Sequence, residues 1–280
     1  MKIGFIGIGN MGGSILKGYA KSAASAGTEI LIHDKTTENN IEMAHAIAGS
    51  GFTNKNLIIC NYNKELVSQA DIIILGVKPN AVDDVLREIA PADGKLLISM
   101  AAGVSIEKLQ RYLNEGVEGS GDKAKIIRIM PNTPARVGMA MTSMSRNRNV
   151  SDEDFAAAKK IFDSVGIAEE VPEDLIDCVI GVSGSSPAYT YMYIEALAKA
   201  VVANGMSPDK ARTFACQAVM GAAKMALESK ESLEQLRINV CSPGGTTIEA
   251  VRKLQENGFM DDVAEGFQAA VDRSKEMTAE

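Results

Sequence analysis

The sequence predicts an α/β fold: an N-terminal doubly wound parallel sheet followed by an all-helical C-terminal region. Three observations predict it. Short runs rich in Ile, Val and Leu alternate with helix-like stretches through the first half. Runs such as Ile72-Ile73-Ile74-Leu75 are apolar at successive positions, which suits strands buried on both faces of a parallel sheet. After about Gly166 the alternation stops, and one short strand-like piece at 169–171 precedes a long helical stretch. The 280 residues are 46% hydrophobic and 23% charged, enough for two ordinary domains, which we place at 1–168 and 169–280.

In chain order, strands are expected at 2–7, 29–33, 57–60, 71–77, 95–100 and 125–130. Helices are expected between them at 14–24, 41–49, 81–89 and 105–112. Asn80 follows the breaker Pro79 and reads as the N-cap of the third of these helices. Residues 117–123, flanked and interrupted by glycines, read as a surface turn. In the second half Ser186-Pro187 and Ser207-Pro208 each pair a capping serine with a proline at the first helical position. Ala211, Ala215, Ala218, Ala222 and Ala226 form a small-residue stripe, either a packing face within the domain or a subunit interface. A helical region this poor in aromatics needs a partner to cover its apolar faces, so a dimer is expected.

Composition excludes several function classes. The chain carries 29 basic and 36 acidic residues, a net charge of −7, which ill suits nucleic acid or an anionic membrane surface. Cys60, Cys178, Cys216 and Cys241 are far apart, and only His33 and His45 complete the soft-ligand inventory. No metal site or disulfide framework is expected, and a reducing cytoplasm fits best. Charges and glycines break every apolar run short of a membrane span, and no signal peptide is expected at the glycine-interrupted first strand.

Gly7-Ile8-Gly9-Asn10-Met11-Gly12 follows one predicted strand and opens a helical pattern. In a dinucleotide-binding turn the first glycine permits the tight bend and the second admits a pyrophosphate. The third lets helix and strand pack closely, and the helix N-terminus faces the phosphates. A plain glycine-rich turn is the alternative. Asp34 closes the next strand about twenty residues on, where a carboxylate binds a ribose 2′-hydroxyl and repels a 2′-phosphate. Lys35, Thr36 and Thr37 follow it as candidate phosphate contacts. Gly76-Val77-Lys78-Pro79 and Met100-Ala101-Ala102-Gly103 end two further strands, and Met130-Pro131-Asn132-Thr133-Pro134 ends the sixth. Ligands of open α/β sheets sit beyond such carboxyl ends, so these loops are expected to border the nicotinamide.

Cys241-Ser242-Pro243-Gly244-Gly245-Thr246-Thr247-Ile248-Glu249 is the informative stretch of the second half. Thr246 and Glu249 have capping-box spacing, so a helix is expected from here toward Gln255. The two glycines upstream free the backbone to present N–H groups beside the positive helix end. A carboxylate suits such a site, and Ser242, Thr246 and Thr247 add hydroxyls. An ordinary capped helix after a turn is the alternative. No histidine or paired carboxylate stands out as the acid–base engine of alcohol oxidation. A protonated cyclic imine needs less, because its C=N⁺ already draws hydride.

Five stretches in order give the chain its resemblance to the pyrroline-5-carboxylate reductase family: Gly4-Phe5-Ile6-Gly7-Ile8-Gly9-Asn10-Met11, Val77-Lys78-Pro79, Met130-Pro131-Asn132-Thr133-Pro134, Gly181-Val182-Ser183-Gly184-Ser185-Ser186-Pro187-Ala188-Tyr189 and Ser242-Pro243-Gly244-Gly245-Thr246-Thr247. The last is close to diagnostic. The resemblance implies a Rossmann-type domain, a helical domain that intertwines with a second copy, and dimers that assemble into rings. It implies reduction of L-1-pyrroline-5-carboxylate to L-proline by NADPH or NADH, with the active site shared between subunits. It places Ile6, Gly7, Ile8, Gly9, Asn10, Met11 and Gly12 at the pyrophosphate and Asp34 at the adenosine ribose. Asn63, Gly76, Val77, Lys78, Pro79, Met100, Ala101 and Ala102 would line the cofactor. Ser242, Gly244, Gly245 and Thr246 would receive the substrate carboxylate, with Thr247 catalytic at the ring nitrogen and the Val240 carbonyl accepting its N–H. Asp34 departs from members that use NADPH, which often carry a small hydroxyl or basic residue there. Two other readings of the chain are a related imine or β-hydroxyacid reductase and a dinucleotide sensor without turnover.

Overall fold

The computed structural model describes residues 1–49 and 56–279, in two compact units. One comprises Met1–Gly184 together with the chain from Val271 onward, the other Ser185–Ala270. In the first, β1 (Lys2–Ile6), β2 (Glu29–His33), β3 (Leu57–Ile59), β4 (Ile72–Leu75), β5 (Leu96–Ser99) and β6 (Lys125–Met130) run parallel. β7 (Ala140–Arg146) joins antiparallel to β6, and β8 (Gly166–Glu170) pairs parallel to β7. The order is β3-β2-β1-β4-β5-β6-β7-β8, so strand order reverses between β1 and β4, the position at which open α/β sheets bind their ligands.

Helices α1 (Asn10–Lys21), α2 (Thr37–Ala48), α3 (Asn63–Gln69), α4 (Val82–Ile89), α5 (Ile106–Gly116), α6 (Ser120–Lys123) and α7 (Asp152–Asp163) complete the wrapping. Alternate strand residues feed two cores. Ile3, Phe5, Ile30 and Ile74 meet Ile15, Leu16 and Tyr19 of α1 and Phe162 of α7. Ile6, Leu31, Ile73 and Leu97 meet Leu66 of α3, Leu86 of α4 and Leu113 of α5. Helices on both faces explain why all four residues of β4 are buried and apolar. Each such side chain contributes about 1.5–3 kcal/mol by leaving water.

The six expected parallel strands are present, the strand-like piece expected at 169–171 falls at the end of β8, and three local readings are corrected. Residues 120–123 form α6 rather than a surface turn, because Ser120 and Gly121 are buried and the Ser120 hydroxyl donates to the Leu113 carbonyl at 2.7 Å. Asn80 lies inside a 3-10 turn, Pro79–Ala81, and α4 begins after Ala81, since the proline nucleates that tighter turn first. Ser185, not Ser186, occupies the N-cap of the first helix of the second unit, leaving Pro187 one position deeper.

After β8 the first unit continues through α8 (Ile176–Val179) and a π-helical turn, Ile180–Gly184. Other groups of the same unit fasten this part of the chain. Arg128 Nη1 and the Ile106 amide both donate to Glu173 Oε1, at 3.0 and 2.8 Å, and the Ser274 hydroxyl donates to Asp177 Oδ1 at 2.5 Å.

The second unit contains α9 (Ser186–Ala203), α10 (Pro208–Glu228), α11 (Leu233–Asn239), α12 (Thr246–Glu256) and most of α13 (Phe259–Ala279). Ser207 does take the N-cap of α10, with Pro208 at its first turn. α9 and α10 pack on each other, and of the alanine stripe Ala211 and Ala215 are buried while Ala218 and Ala222 stay exposed. Tyr191, Met192, Phe214, Met225 and Leu227 are also exposed in the single chain. Among the described residues no helix is long and apolar enough to cross a membrane.

Candidate active site

The turn after β1 is built by three glycines under three different constraints. Gly7 has φ +83°, and a Cβ there would stand 2.8 Å from the Val77 amide nitrogen. Its own amide donates to the His33 carbonyl at 2.8 Å, drawing the turn against β2. A Cβ on Gly12 would meet the Gly7 carbonyl oxygen at 2.6 Å, so glycine lets α1 sit directly behind the turn. Gly76, ending β4, is closed off by the same carbonyl, and its amide donates to the Ile6 carbonyl at 2.8 Å. Gly9 is different. It occupies the N-cap of α1 at φ −63°, and a Cβ there would touch nothing within 4 Å.

That open approach faces the unsealed end of a twelve-residue helix, for no side chain caps α1. The first amides of α1 and its positive dipole end are therefore free for an anion. A cleft of about 640 Å³ runs from Ile8, Gly9 and Asn10 along the flank of α1, past Lys17 and Asn39 to Arg136. It does not reach the loops after β4 and β5.

Asp34, ending β2, is joined to the glycine turn directly. Its Oδ2 accepts from the Ile8 amide at 3.0 Å, and its Oδ1 accepts from the Thr36 amide and from Asn39 Nδ2, each at 3.0 Å. Burial pushes its pKa up, but the Thr36 and Ile8 amides, the Asn39 side chain and the nearby His33 outweigh it. The carboxyl stays below the ordinary carboxylate value. Cys60, ending β3, goes the other way: burial first, then the charge of Glu65, raise its thiol to about 11, so it is a packing residue rather than a nucleophile.

Asn63 opens α3, donates through Nδ2 to Glu88 Oε2 at 2.7 Å, and leaves a buried Oδ1 without a partner. Val77 and Met100 are half-buried, and Ala101 is buried in the second core. Lys78 and Pro79 are exposed. The loop after β6, expected from the sequence to border the nicotinamide, is organised by Asn132. Its Oδ1 accepts from the Met141 amide and its Nδ2 donates to the Ser183 carbonyl, both at 2.9 Å, tying β6, β7 and the π-helical turn together. A polar side chain between two prolines was the available signal.

In the second unit, Val240 occupies the C-cap of α11 with its side chain exposed, and a turn follows in which the Gly245 amide donates to the Ser242 carbonyl at 3.0 Å. Gly244 adopts φ +68°, and Gly245 caps α12, which begins at Thr246 as expected. The capping box does not form. The cap is Gly245 and lacks a side chain, and Glu249 pairs with Arg252 instead of reaching back. The first-turn amides of α12 are thus left open beside Ser242, Thr246 and a half-buried Thr247. Among the described residues no three His, Cys, Asp or Glu side chains group as a metal site.

Two features fit a dinucleotide in the first unit: Gly9, whose missing side chain no protein atom explains, and the orphaned Asn63 oxygen. Comparison with known proteins agrees. Residues 173–277 match the pyrroline-5-carboxylate reductase dimerisation family, and residues 2–103 match the family described as NADP oxidoreductase coenzyme F420-dependent. The chain is 43% identical over 279 residues to the pyrroline-5-carboxylate reductase of Escherichia coli K12, covering 99% of this chain and 98% of that one. The crystal structure of the Plasmodium falciparum pyrroline carboxylate reductase with NADP bound matches with a TM-score of 0.81 at 32% identity, covering 99% and 98% of the two chains. A Coxiella burnetii pyrroline-5-carboxylate reductase matches at 0.88 and 31%, with the same coverage.

Proposed function

This chain belongs to the pyrroline-5-carboxylate reductase family, and we infer from that membership how its residues divide the work of reducing L-1-pyrroline-5-carboxylate to L-proline with NAD(P)H. The observation that carries the substrate reading is the uncapped N-terminus of α12 behind the Ser242–Gly245 turn, since a glycine turn after β1 is common to many dehydrogenases.

Ile6, Gly7, Ile8, Gly9, Asn10, Met11 and Gly12 hold the pyrophosphate, with Gly9 admitting it and the open end of α1 supplying donors. Asp34 takes the adenosine ribose. Asn63, Gly76, Val77, Lys78, Pro79, Met100, Ala101 and Ala102 line the rest, and the Asn63 oxygen finds a donor there. When bound, NAD(P)H supplies the hydride.

Ser242, Gly244, Gly245 and Thr246 receive the substrate carboxylate, because amide donors and a positive helix end converge there while no side chain competes. The imine enters protonated, so no residue has to donate a proton during reduction. One C–H bond forms at the ring carbon, the C=N π pair moves to nitrogen, and the product is a secondary amine. Thr247 holds the nitrogen in place through its hydroxyl, and the Val240 carbonyl accepts from the same N–H. These contacts act by positioning and by stabilising the charge on nitrogen.

The test is oxidation of NADH and NADPH on addition of pyrroline-5-carboxylate to the purified protein, followed at the nicotinamide absorbance, with proline assayed as product. Turnover is expected, and silence with a bound dinucleotide would return the chain to the sensor reading. Thr247→Ala is expected to lower kcat about tenfold or more with the dinucleotide KM unchanged. An unaltered kcat removes Thr247 from the chemistry.

The match over residues 173–277 supports self-association, and the exposed apolar side chains of α9 and α10 supply the surface for a dimer. Rings of dimers are the further assembly we propose. The net charge of −7 speaks against nucleic acid and anionic membranes as partners. Four free cysteines suit a reducing cytoplasm.

A further inference from the structure

Resting on the reading that the first unit binds a nicotinamide dinucleotide, we propose that this chain selects NADH over NADPH, and that Asp34 makes the selection. The proposal stands on how the acceptor capacity of this carboxylate is used. An ionised carboxylate has about four lone-pair positions and nothing to donate. Three are taken by the Ile8 amide, the Thr36 amide and Asn39 Nδ2, each at 3.0 Å. What remains is room to accept one more hydrogen bond. A ribose 2′-hydroxyl can supply that bond. A 2′-phosphate has only acceptors to present and brings about one and a half to two negative charges.

The carboxylate cannot turn aside to relieve that repulsion. Two donors hold Oδ1 and one holds Oδ2, so rotating the group breaks bonds at both oxygens. The backbone behind it is equally fixed. The Asp34 amide donates to Asn40 Oδ1, and Asn40 Nδ2 donates back to the Asp34 carbonyl, both at 2.9 Å, with Asn40 itself buried. The Ile8 contact also places the charge against the turn whose Gly9 lies open.

Nearby groups do not reverse the sign. His33 turns its Nδ1 to the Cys60 carbonyl at 3.0 Å. Lys35 is exposed, and the next charged residue, Glu38 in the first turn of α2, is acidic. The Thr36 amide, a natural phosphate donor, is already given to Asp34. An acidic, rigid site with its cationic neighbour out in solvent discriminates by like-charge rejection.

Calorimetric titration of the purified full chain with NAD⁺ and, separately, NADP⁺ tests this without turnover. NAD⁺ is expected to bind at least about tenfold more tightly. Asp34→Ser is expected to narrow the ratio at least about tenfold, mainly by strengthening NADP⁺. Asp34→Asn removes the charge while its one amide oxygen can still accept from the Thr36 amide and Asn39 Nδ2, and is expected to narrow the ratio in the same direction should the serine variant fold poorly. Equal or tighter NADP⁺ binding by the unaltered chain overturns the proposal and leaves the reductase reading standing. An unchanged ratio in both variants overturns the role of Asp34. Binding of neither dinucleotide by folded protein overturns the proposal together with the reading it rests on.

Discussion

Gly7 and Gly9 differ by two positions and by the physics that demands glycine at each. Gly7 sits at φ +83° with the Val77 amide 2.8 Å from where a Cβ would be, so Gly7→Ala strains the fold itself. About 1–3 kcal/mol of destabilisation is expected, read as a lower Tm. Gly9 has an ordinary φ and empty space beside it, so Gly9→Ala should cost no more than about 1 kcal/mol, the usual loss at a cap. Its dinucleotide affinity should nonetheless fall at least about tenfold in a calorimetric titration, because the methyl occupies the approach left for phosphate. Loss of stability without loss of affinity at Gly9 would remove it from the site. Both glycines were legible in the sequence, and so was their division of labour, the bend at Gly7 and the phosphate approach at Gly9. What closes off Gly7 was not, since it depends on Val77 and Gly76 after a strand distant in the chain. The same holds for Asp34: its position at a strand end was readable, while the three donors that hold its carboxylate come together only in the folded turn.

At the scale of elements, the strands that sequence found were those made of Ile, Val and Leu. β7, Ala-Met-Thr-Ser-Met-Ser-Arg, was missed because its hydroxyl side chains break the apolar run, although Thr142, Ser143 and Ser145 are all buried between β6 and β8. α7 was missed too, despite Ser151 capping it by accepting from the Asp154 amide at 3.1 Å. The capping box expected at Thr246 illustrates the opposite error. Spacing alone suggested it, but the chain enters α12 through glycine, and an uncapped helix end is what an anion site requires. Asn132 is the element-level joint that sequence undervalued. Asn132→Ala leaves the Met141 amide and the Ser183 carbonyl without their partner and is expected to cost about 2 kcal/mol or more in denaturant unfolding. Asn132→Asp retains the acceptor for Met141 and is expected to recover part of that loss. Equal stability of all three proteins would make the joint dispensable.

For the whole molecule, the second unit is the part least able to stand in water as a single copy. α9 buries none of its residues, and Phe214 on α10 is 64% exposed. Phe214→Glu is therefore expected to raise the monomer fraction in sedimentation and lower Tm with it, since self-association and stability are linked. An unchanged sedimentation profile would exclude this part of α10 from the interface. Composition had pointed to this need for a partner through the shortage of aromatics. Which faces stay uncovered became visible only with the helices in place, where the alanine stripe proved half buried and half open.

The return of α13 to the first unit sets an order of events during synthesis. Residues from Val271 onward belong to the same compact body as Met1, and they seal it through Ser274 on Asp177 and the Thr278 carbonyl on Lys108, at 2.5 and 2.8 Å. A ribosome that has already released the sheet must still translate the whole helical unit before those contacts exist. The nucleotide-binding body is thus begun by its strands and finished by a helix that is made only after the second unit.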